Sequence, residues 1–284
     1  MKTFLITRFS INDHSYHGYQ ITRNNDNKTY QNLLFSEARL EFKFNVFENV
    51  TMQSVLQQTN FNWEWHIYYS PSLNKQYSTK LLTITYNHKK IKVFSVNNFA
   101  DFFQKVNGYK YGKNYATVRL DDDDALSHKY VEILNRYSDY DGRIISFPYG
   151  QEYYLKKNKI CKGSKCRKPN IALGLAAINS DIYACGDHDY IAKNYEVIYD
   201  LTKDMYLICC SPLTDTKRKR TEKKKFVLKT FINKVLNNFK YHITKKDTEI
   251  LFKLFHNPKK NQSYFFKLIN IFINSIGFQL LRKK

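Results

Sequence analysis

The chain has 284 residues, 43% of them hydrophobic, and a net charge of +21, so it can bury one sizeable core and still carry an appendage. The apolar run near the N-terminus is three residues long, too short for a signal-peptide core. No stretch reaches the about 18 apolar residues that span a bilayer. These properties argue against a secreted or membrane-spanning protein, and we expect a cytoplasmic location.

The first 120 residues alternate between predicted strands and predicted helices. Short apolar or aromatic runs are separated by segments with loosely helical spacing, and an Asn-rich loop is predicted at 12–28. The predicted strands are 4–9, 63–69, 91–96 and 115–120, and the predicted helices are 39–58, 71–82 and 99–106.

The same alternation continues after residue 120. Ser127 can cap a helix that runs through Tyr137. Further strands are predicted at 142–147 and 171–179, and a basic hairpin at 151–168. Strands that alternate with helices in this way imply parallel pairing. We therefore predict an α/β fold, with a Rossmann-like, mostly parallel sheet between helices.

The last quarter of the chain differs from the rest in charge. Nineteen Lys and Arg residues against four Asp and Glu residues lie between Ser211 and the C-terminus, so this quarter carries +15 of the total charge. We predict a basic linker at 213–225 and an amphipathic helical appendage at 226–284, which would lie on a surface instead of crossing it. Residues 217–284 are expected to bind an anionic membrane surface.

Four consecutive carboxylates, Asp121 to Asp124, directly follow the predicted strand at 115–120. In an open α/β sheet, ligands bind at the carboxyl ends of strands, where these residues would lie. Adjacent carboxylates repel one another, and a hard divalent cation resolves the conflict because carboxylate and diphosphate oxygens can share it. Alternate Asp side chains in an extended backbone point to opposite sides, so one pair can reach a metal. The simpler alternative is an acidic helix start that only complements the helix dipole.

These residues resemble the DXD segment of GT-A glycosyltransferases. The motifs that carry the resemblance are Leu120-Asp121-Asp122-Asp123-Asp124, the stretch 49–69 with Ser54, Gln57, Gln58 and Asn60-Phe61-Asn62-Trp63, the start Thr7-Arg8-Phe9, and Thr117-Val118-Arg119-Leu120-Asp121. Together they are similar to the rhamnosyltransferase family of bacterial surface-glycan loci, over about residues 3–210.

The resemblance implies a GT-A-like catalytic domain at 1–212 and a nucleotide-diphosphate sugar donor held by Mn²⁺ or Mg²⁺. Asp123 would be the main metal ligand, and the metal would offset charge on the leaving diphosphate. The expected metal ligands are Asp121, Asp123 and Asp124. The expected donor-binding residues are Thr7, Arg8, Arg119, Asp121 and Asp122. The acceptor would be a saccharide or a lipid-linked glycan, met at the inner face of the bacterial membrane.

An inverting transfer also needs a base that takes a proton from the acceptor hydroxyl. GT-A enzymes place an acidic base at the start of a helix on the acceptor side, and Asp187 has a similar position here. His188 is the alternative base or an additional metal ligand. The sequence has Gly186-Asp187 where the Glu-Asp pair is commoner. A simple helix N-cap is the competing interpretation of Asp187.

Two other functions fit parts of the sequence. A metal-dependent nucleotidyltransferase also uses carboxylates at strand ends, but it would normally show a Gly-rich phosphate loop, and only Gly18 lies in the first hundred residues. A non-enzymatic protein that binds nucleic acid or membranes fits the pI of 9.6. Four adjacent carboxylates would repel nucleic-acid phosphates, however. We therefore expect a glycosyltransferase and no nucleic-acid partner.

Overall fold

The computed structural model describes residues 1–16, 25–156, 159–169, 171–211 and 213. The predicted linker, apart from residue 213, and the predicted amphipathic helices at 226–284 lie outside this range. No helix in the described part of the chain is long and apolar enough to cross a membrane.

Eleven strands occur in the described residues and form two sheets. They are β1 Lys2–Phe9, β2 Trp63–Tyr69, β3 Ile91–Ser95, β4 Tyr115–Arg119, β5 Ala125–Leu126, β6 Ile144–Ser146, β7 Tyr149–Lys156, β8 Lys159–Arg167, β9 Ala176–Ile178, β10 Val197–Tyr199 and β11 Tyr206–Cys210. The main sheet has seven strands in the order β10-β6-β9-β4-β1-β2-β3. Its neighbours are parallel except that β9 runs antiparallel to β4 and β6.

Helices cover both faces of the main sheet. They are α1 Asn27–Leu34, α2 Glu37–Val46, a π-helical turn Phe47–Thr51, α3 Met52–Leu56, α4 Lys75–Tyr86, α5 Phe99–Asn107, α6 Tyr130–Leu134, a 3₁₀ turn Asn135–Tyr137 and α7 His188–Asn194. One apolar core contains side chains from α2, α3, α4 and α6, and a second contains side chains from α5 and α7. Leu5 belongs to the first core and Ile6 to the second, so β1 is buried on both faces, as expected of a central parallel strand.

The smaller sheet has the order β5-β11-β7-β8. Its strand β5 begins directly after Asp124, so this sheet fixes the end of the acidic segment. Gly150 on β7 lies beneath the ring of Tyr206, where an added Cβ would come within 2.3 Å of the ring. Leu207 and Cys209 of β11 pack with Phe42 of α2 in a third apolar cluster. The smaller sheet is thereby joined to the helices of the main sheet.

The predicted alternation of strands and helices is confirmed for most of the described chain. β2 has the predicted ends, and β1, β3 and β4 differ from their predicted ends by at most two residues. The predicted basic hairpin is the antiparallel pair β7–β8. Aromatic and β-branched residues are frequent in β1 to β4, so their local sequence was sufficient to place these four strands.

Several predicted bounds are wrong, and three of them show how a cap or turn moves the start of an element or shortens it. The helix predicted at 71–82 begins at Lys75, where the Asn74 side chain accepts a hydrogen bond from the Gln76 amide. The helix after Ser127 begins at Tyr130 with Lys129 as its N-cap residue. The strand predicted at 171–179 is reduced to β9, since Gly174 takes a positive φ of 69° and turns the chain.

Candidate active site

The acidic segment follows β4 at the carboxyl edge of the main sheet. β4 lies next to β1 in parallel register, and the amide of Leu120 donates to the carbonyl of Ile6. Asp121 and Asp123 are partly exposed, whereas Asp122 and Asp124 are buried. The side chains therefore alternate between two environments as predicted, although the backbone at Asp122 and Asp123 forms a turn instead of an extended strand.

Asp122 is paired with a lysine inside the protein. The Nζ atom of Lys43, on α2, lies 2.7 Å from Oδ1 and 2.6 Å from Oδ2 of Asp122. The Thr51 hydroxyl, in the π-helical turn, donates to the Asp122 carbonyl at 3.3 Å. Both side chains of the ion pair are almost fully buried. The carboxylate thus has a strong partner within the fold, and donor contact by Asp122 stays a prediction.

Asp124 is held by the smaller sheet. Its Oδ1 atom accepts a hydrogen bond of 2.9 Å from the amide of Cys209 on β11. Burial, followed by the charges of Asp123 and Asp121, raises the pKa of Asp124 well above its usual value. Nearby positive charge would relieve this unfavourable concentration of carboxylates.

Asp121 lies close to Arg8, near the end of β1. Nη2 of Arg8 is 3.5 Å from Oδ1 of Asp121, and Nη1 of Arg8 donates to the Tyr16 hydroxyl at 3.4 Å. The guanidinium group of Arg8 also lies over the rings of Phe99 and Tyr183. Arg8 therefore brings a cation to the acidic segment at the carboxyl edge of the sheet, where its donor-binding role was predicted.

Thr7 is placed differently from its neighbour Arg8. Its side chain is fully buried, and its hydroxyl accepts a hydrogen bond of 2.9 Å from Nε1 of Trp65 on β2. This contact joins the neighbouring strands β1 and β2. The role of Thr7 in donor binding is not tested by this arrangement.

Arg119 connects β4 to the loop that leads to Asp187. Its Nη2 atom donates to the carbonyls of Ile182, at 3.1 Å, and Gly186. The guanidinium group lies 4.6 Å from the ring centroid of Tyr183, and burial is the main cause that lowers the pKa of Arg119. These contacts hold residues 182–186 against the carboxyl end of β4. They also place Asp187 at the same edge of the sheet as the acidic segment.

Asp187 is the N-cap residue of α7. Its Oδ1 atom accepts a hydrogen bond of 2.7 Å from the Tyr190 amide, and this bond is the main cause that lowers the pKa of Asp187. The carboxylate is exposed, so a substrate hydroxyl could approach it. His188 is partly exposed, and its Nε2 atom lies 3.8 Å from Oδ1 of Asp189. Asp187 therefore caps the helix, and its role as the base stays a prediction.

The carboxylates around Asp123 fit a cation that is shared with a substrate. Within the described ranges, no group of three or more His, Cys, Asp and Glu side chains is arranged to hold a metal ion. Mg²⁺ commonly binds one or two protein carboxylates and completes its shell with waters and substrate phosphates. Asp121 and Asp123, the two partly exposed carboxylates, suit this mode of binding better than a site in which the protein supplies every metal ligand.

Comparison with known proteins gives a family assignment. A family profile described as "Putative rhamnosyl transferase" matches residues 2–223, which is most of the chain. The chain belongs to this family. The protein is therefore a glycosyltransferase, which confirms the prediction made from the DXD-like segment. No curated protein matches its sequence.

The glycosyltransferase is also similar to several solved structures at low sequence identity. Residues 1–349 of TarS from S. aureus are 10% identical, with a TM-score of 0.44, over 74% of this chain and 60% of that one. The same TarS fragment in complex with UDP-GlcNAc is 11% identical, with a TM-score of 0.38, over 89% and 71%. A 4-diphosphocytidyl-2C-methyl-D-erythritol synthase from Anaerococcus prevotii is 10% identical, with a TM-score of 0.35, over 74% and 86%. The chain thus spans less than two thirds of the first TarS structure.

The sequence analysis missed the buried residues that bind Asp122 and Asp124. Lys43 meets Asp122 across 79 positions of sequence, and Cys209 meets Asp124 across 85. Neither residue belongs to a local motif. A lysine among the apolar positions of α2 was the one available signal, because a charge on a buried helix face needs a partner.

Proposed function

We propose that the protein transfers a sugar from a nucleotide-diphosphate donor to a glycan or lipid-linked acceptor, as a step in bacterial surface-polysaccharide synthesis. Family membership supports the transferase class. The observation that carries the finer proposal is the partly exposed pair Asp121 and Asp123 beside Arg8 at the carboxyl edge of the sheet.

Asp121 and Asp123 would hold Mn²⁺ or Mg²⁺ together with the donor diphosphate, and ligation by Asp124, whose Oδ1 atom accepts from the Cys209 amide, stays a prediction. Bound there, the cation would supply positive charge for the leaving diphosphate. Arg8 would add a second positive charge on the same side. Asp122 stays within the protein through Lys43 and would support the segment from beneath.

Asp187 would act as the base of an inverting reaction. Its carboxylate takes the proton from the acceptor hydroxyl, and the acceptor oxygen forms a bond to the anomeric carbon. The bond from that carbon to the diphosphate oxygen breaks, and the electron pair leaves with the diphosphate. Asp187 is ionised at neutral pH and so can accept a proton, while the Tyr190 hydrogen bond that lowers its pKa makes it a weaker base until the acceptor displaces that bond.

The basic C-terminal quarter suggests where the reaction takes place. We place the enzyme in the cytoplasm, on the inner face of the bacterial membrane, with residues 217–284 attached to anionic lipid headgroups. A lipid-linked acceptor would be available at that surface.

A thermal-shift screen of nucleotide-sugars, each with and without Mn²⁺, tests the donor proposal. A ligand at about 100 times its Kd stabilises the folded state by about 2.7 kcal/mol, enough for a clear rise in Tm. We expect a rise for at least one nucleotide-sugar, dependent on Mn²⁺ and lost in Asp123→Ala. The exposed Asp139→Ala variant serves as the matched control and should behave as wild type. No stabilisation by any nucleotide-sugar would contradict the proposal.

A further inference from the structure

The ion pair between Lys43 and Asp122 is buried directly beneath the acidic segment. Its side chains are 7% and 5% exposed, and the ammonium group contacts both carboxylate oxygens. A second contact from the same layer holds the backbone, because the Thr51 hydroxyl donates to the Asp122 carbonyl. Two separate contacts thus fix both the main chain and the side chain of Asp122.

The helical layer also holds the residues that follow. The Ser54 hydroxyl, on α3, accepts a hydrogen bond of 3.3 Å from the Leu126 amide, and the carboxylate of Asp124 is bound to the Cys209 amide. Asp122 and Asp124 are therefore both buried and bound by groups inside the protein. Asp121 and Asp123 alternate with them and remain partly exposed.

Removing one partner from a buried pair is costly, because it leaves an uncompensated charge in a medium of low polarity. The short contacts to both oxygens are those of a strong, charge-assisted pair. A carboxylate held in this way has its charge balanced and both oxygens occupied. It is a poor ligand for an external cation, even though it stands in the middle of the acidic run.

We propose that Lys43 is a positioning residue that withdraws Asp122 from the cation site and restricts cation binding to the other carboxylates of the segment. The inference rests on the proposed function, since it concerns the same site. Lys43 would act in two ways. It neutralises one of four adjacent negative charges, and it holds the Asp122 carboxylate away from the cation.

Mn²⁺ titrations followed by electron paramagnetic resonance, with Mn²⁺ alone and with Mn²⁺ plus UDP, test this inference. The variants are Lys43→Met, Asp122→Asn, the double variant Lys43→Met/Asp122→Asn, and Asp123→Asn. Lys80→Met is the matched control, because Lys80 forms an exposed ion pair with Glu48 in the π-helical turn. Urea unfolding of each variant gives its stability separately from its affinity.

We expect the double variant to bind Mn²⁺ within about threefold of wild type, whereas Asp123→Asn weakens binding by about tenfold or more. Lys43→Met alone frees a negative charge beside the site and should tighten Mn²⁺ binding by about threefold or more. A purely structural lysine would change stability and leave the affinity unchanged. If Lys43→Met does not fold, the double variant, which leaves neither charge unpaired, still shows whether Asp122 is a cation ligand.

Two results would overturn the inference. A loss of about tenfold in the double variant, equal to that of Asp123→Asn, would make Asp122 a cation ligand. An unchanged affinity in a folded Lys43→Met variant would reduce Lys43 to a structural role. By contrast, a wild-type protein that binds no Mn²⁺ under either condition would overturn the cation part of the proposed function together with this inference.

Discussion

At the scale of single residues, the Asp187 carboxylate caps α7 through the Tyr190 amide and is also the proposed base. Asn is as good an N-cap as Asp but cannot take a proton at neutral pH. Substitution by Asn can therefore separate the role of Asp187 as a helix cap from its proposed role as a base.

We expect Asp187→Asn to lower kcat by about a hundredfold or more while the free energy of unfolding changes by a few tenths of a kcal/mol. Asp187→Ala should lose the same activity and in addition about 1 kcal/mol of stability, because the cap is lost. Initial rates and urea unfolding measure the two effects. Normal turnover in Asp187→Asn would show that Asp187 is only a helix cap, and His188 would then be the candidate base.

The buried partners of the acidic segment show what single-residue reasoning could not reach. The Asp run itself was visible, and so was its alternation between two environments. Lys43 and Cys209 were not, because each meets its Asp partner through tertiary packing and not through sequence spacing. The same is true of Thr7, whose burial against Trp65 follows from the register of β1 on β2.

At the scale of elements, a polar network crosses the three strands β1, β2 and β3. The carboxylate of Glu64 contacts Lys2, His66, Lys92 and the hydroxyl of Tyr109. Burial alone would raise the pKa of Glu64, but the hydrogen bonds from these four partners together hold it well below its usual value of 4.5. Burial is the main cause that lowers the pKa of His66 from its usual value of 6.5.

This network predicts a loss of stability in acid. The unfolded chain takes up a proton on His66 as the pH falls through 6.5, while the folded state resists it, so the folded state loses stability. Glu64 adds to the loss below 4.5, since its folded-state pKa is depressed and its contribution is present only above the unfolded value. Urea unfolding from pH 8 to pH 3 measures both steps.

Glu64→Gln should cost about 1–3 kcal/mol at neutral pH and flatten the part of the profile below 4.5. Glu37→Gln, at an exposed position in the first turn of α2, is the control and should leave the profile unchanged. An unaltered profile in Glu64→Gln would show that the network does not govern acid stability.

At the scale of the whole molecule, the sequence predicts the direction of most strands in the main sheet but not of all. Alternating strands and helices predicted the mostly parallel sheet, which is confirmed for β1 to β4. The antiparallel direction of β9 was not predicted, because the residues of a short strand do not encode its direction. After β9 the chain reaches Ile182, whose carbonyl accepts a hydrogen bond from Arg119, and then Asp187.

The charge distribution gives a prediction about the whole chain. Truncation after Ser211 removes most of the excess positive charge and should release the protein from vesicles that contain anionic lipid, since each Lys or Arg near such a surface contributes about 1 kcal/mol. Vesicle co-sedimentation measures binding, and the Tm of the truncated chain shows whether residues 1–211 still fold. Unchanged binding by a folded, truncated chain would contradict the attachment role.

The most direct test is metal-dependent turnover of a nucleotide-sugar by wild type and by Asp123→Ala, each with Mn²⁺ and with EDTA. We predict that wild type is active with Mn²⁺ and inactive with EDTA, and that Asp123→Ala loses activity by about a hundredfold or more without a change in Tm. Full activity of Asp123→Ala in the presence of EDTA would contradict a cation shared between these carboxylates and the donor.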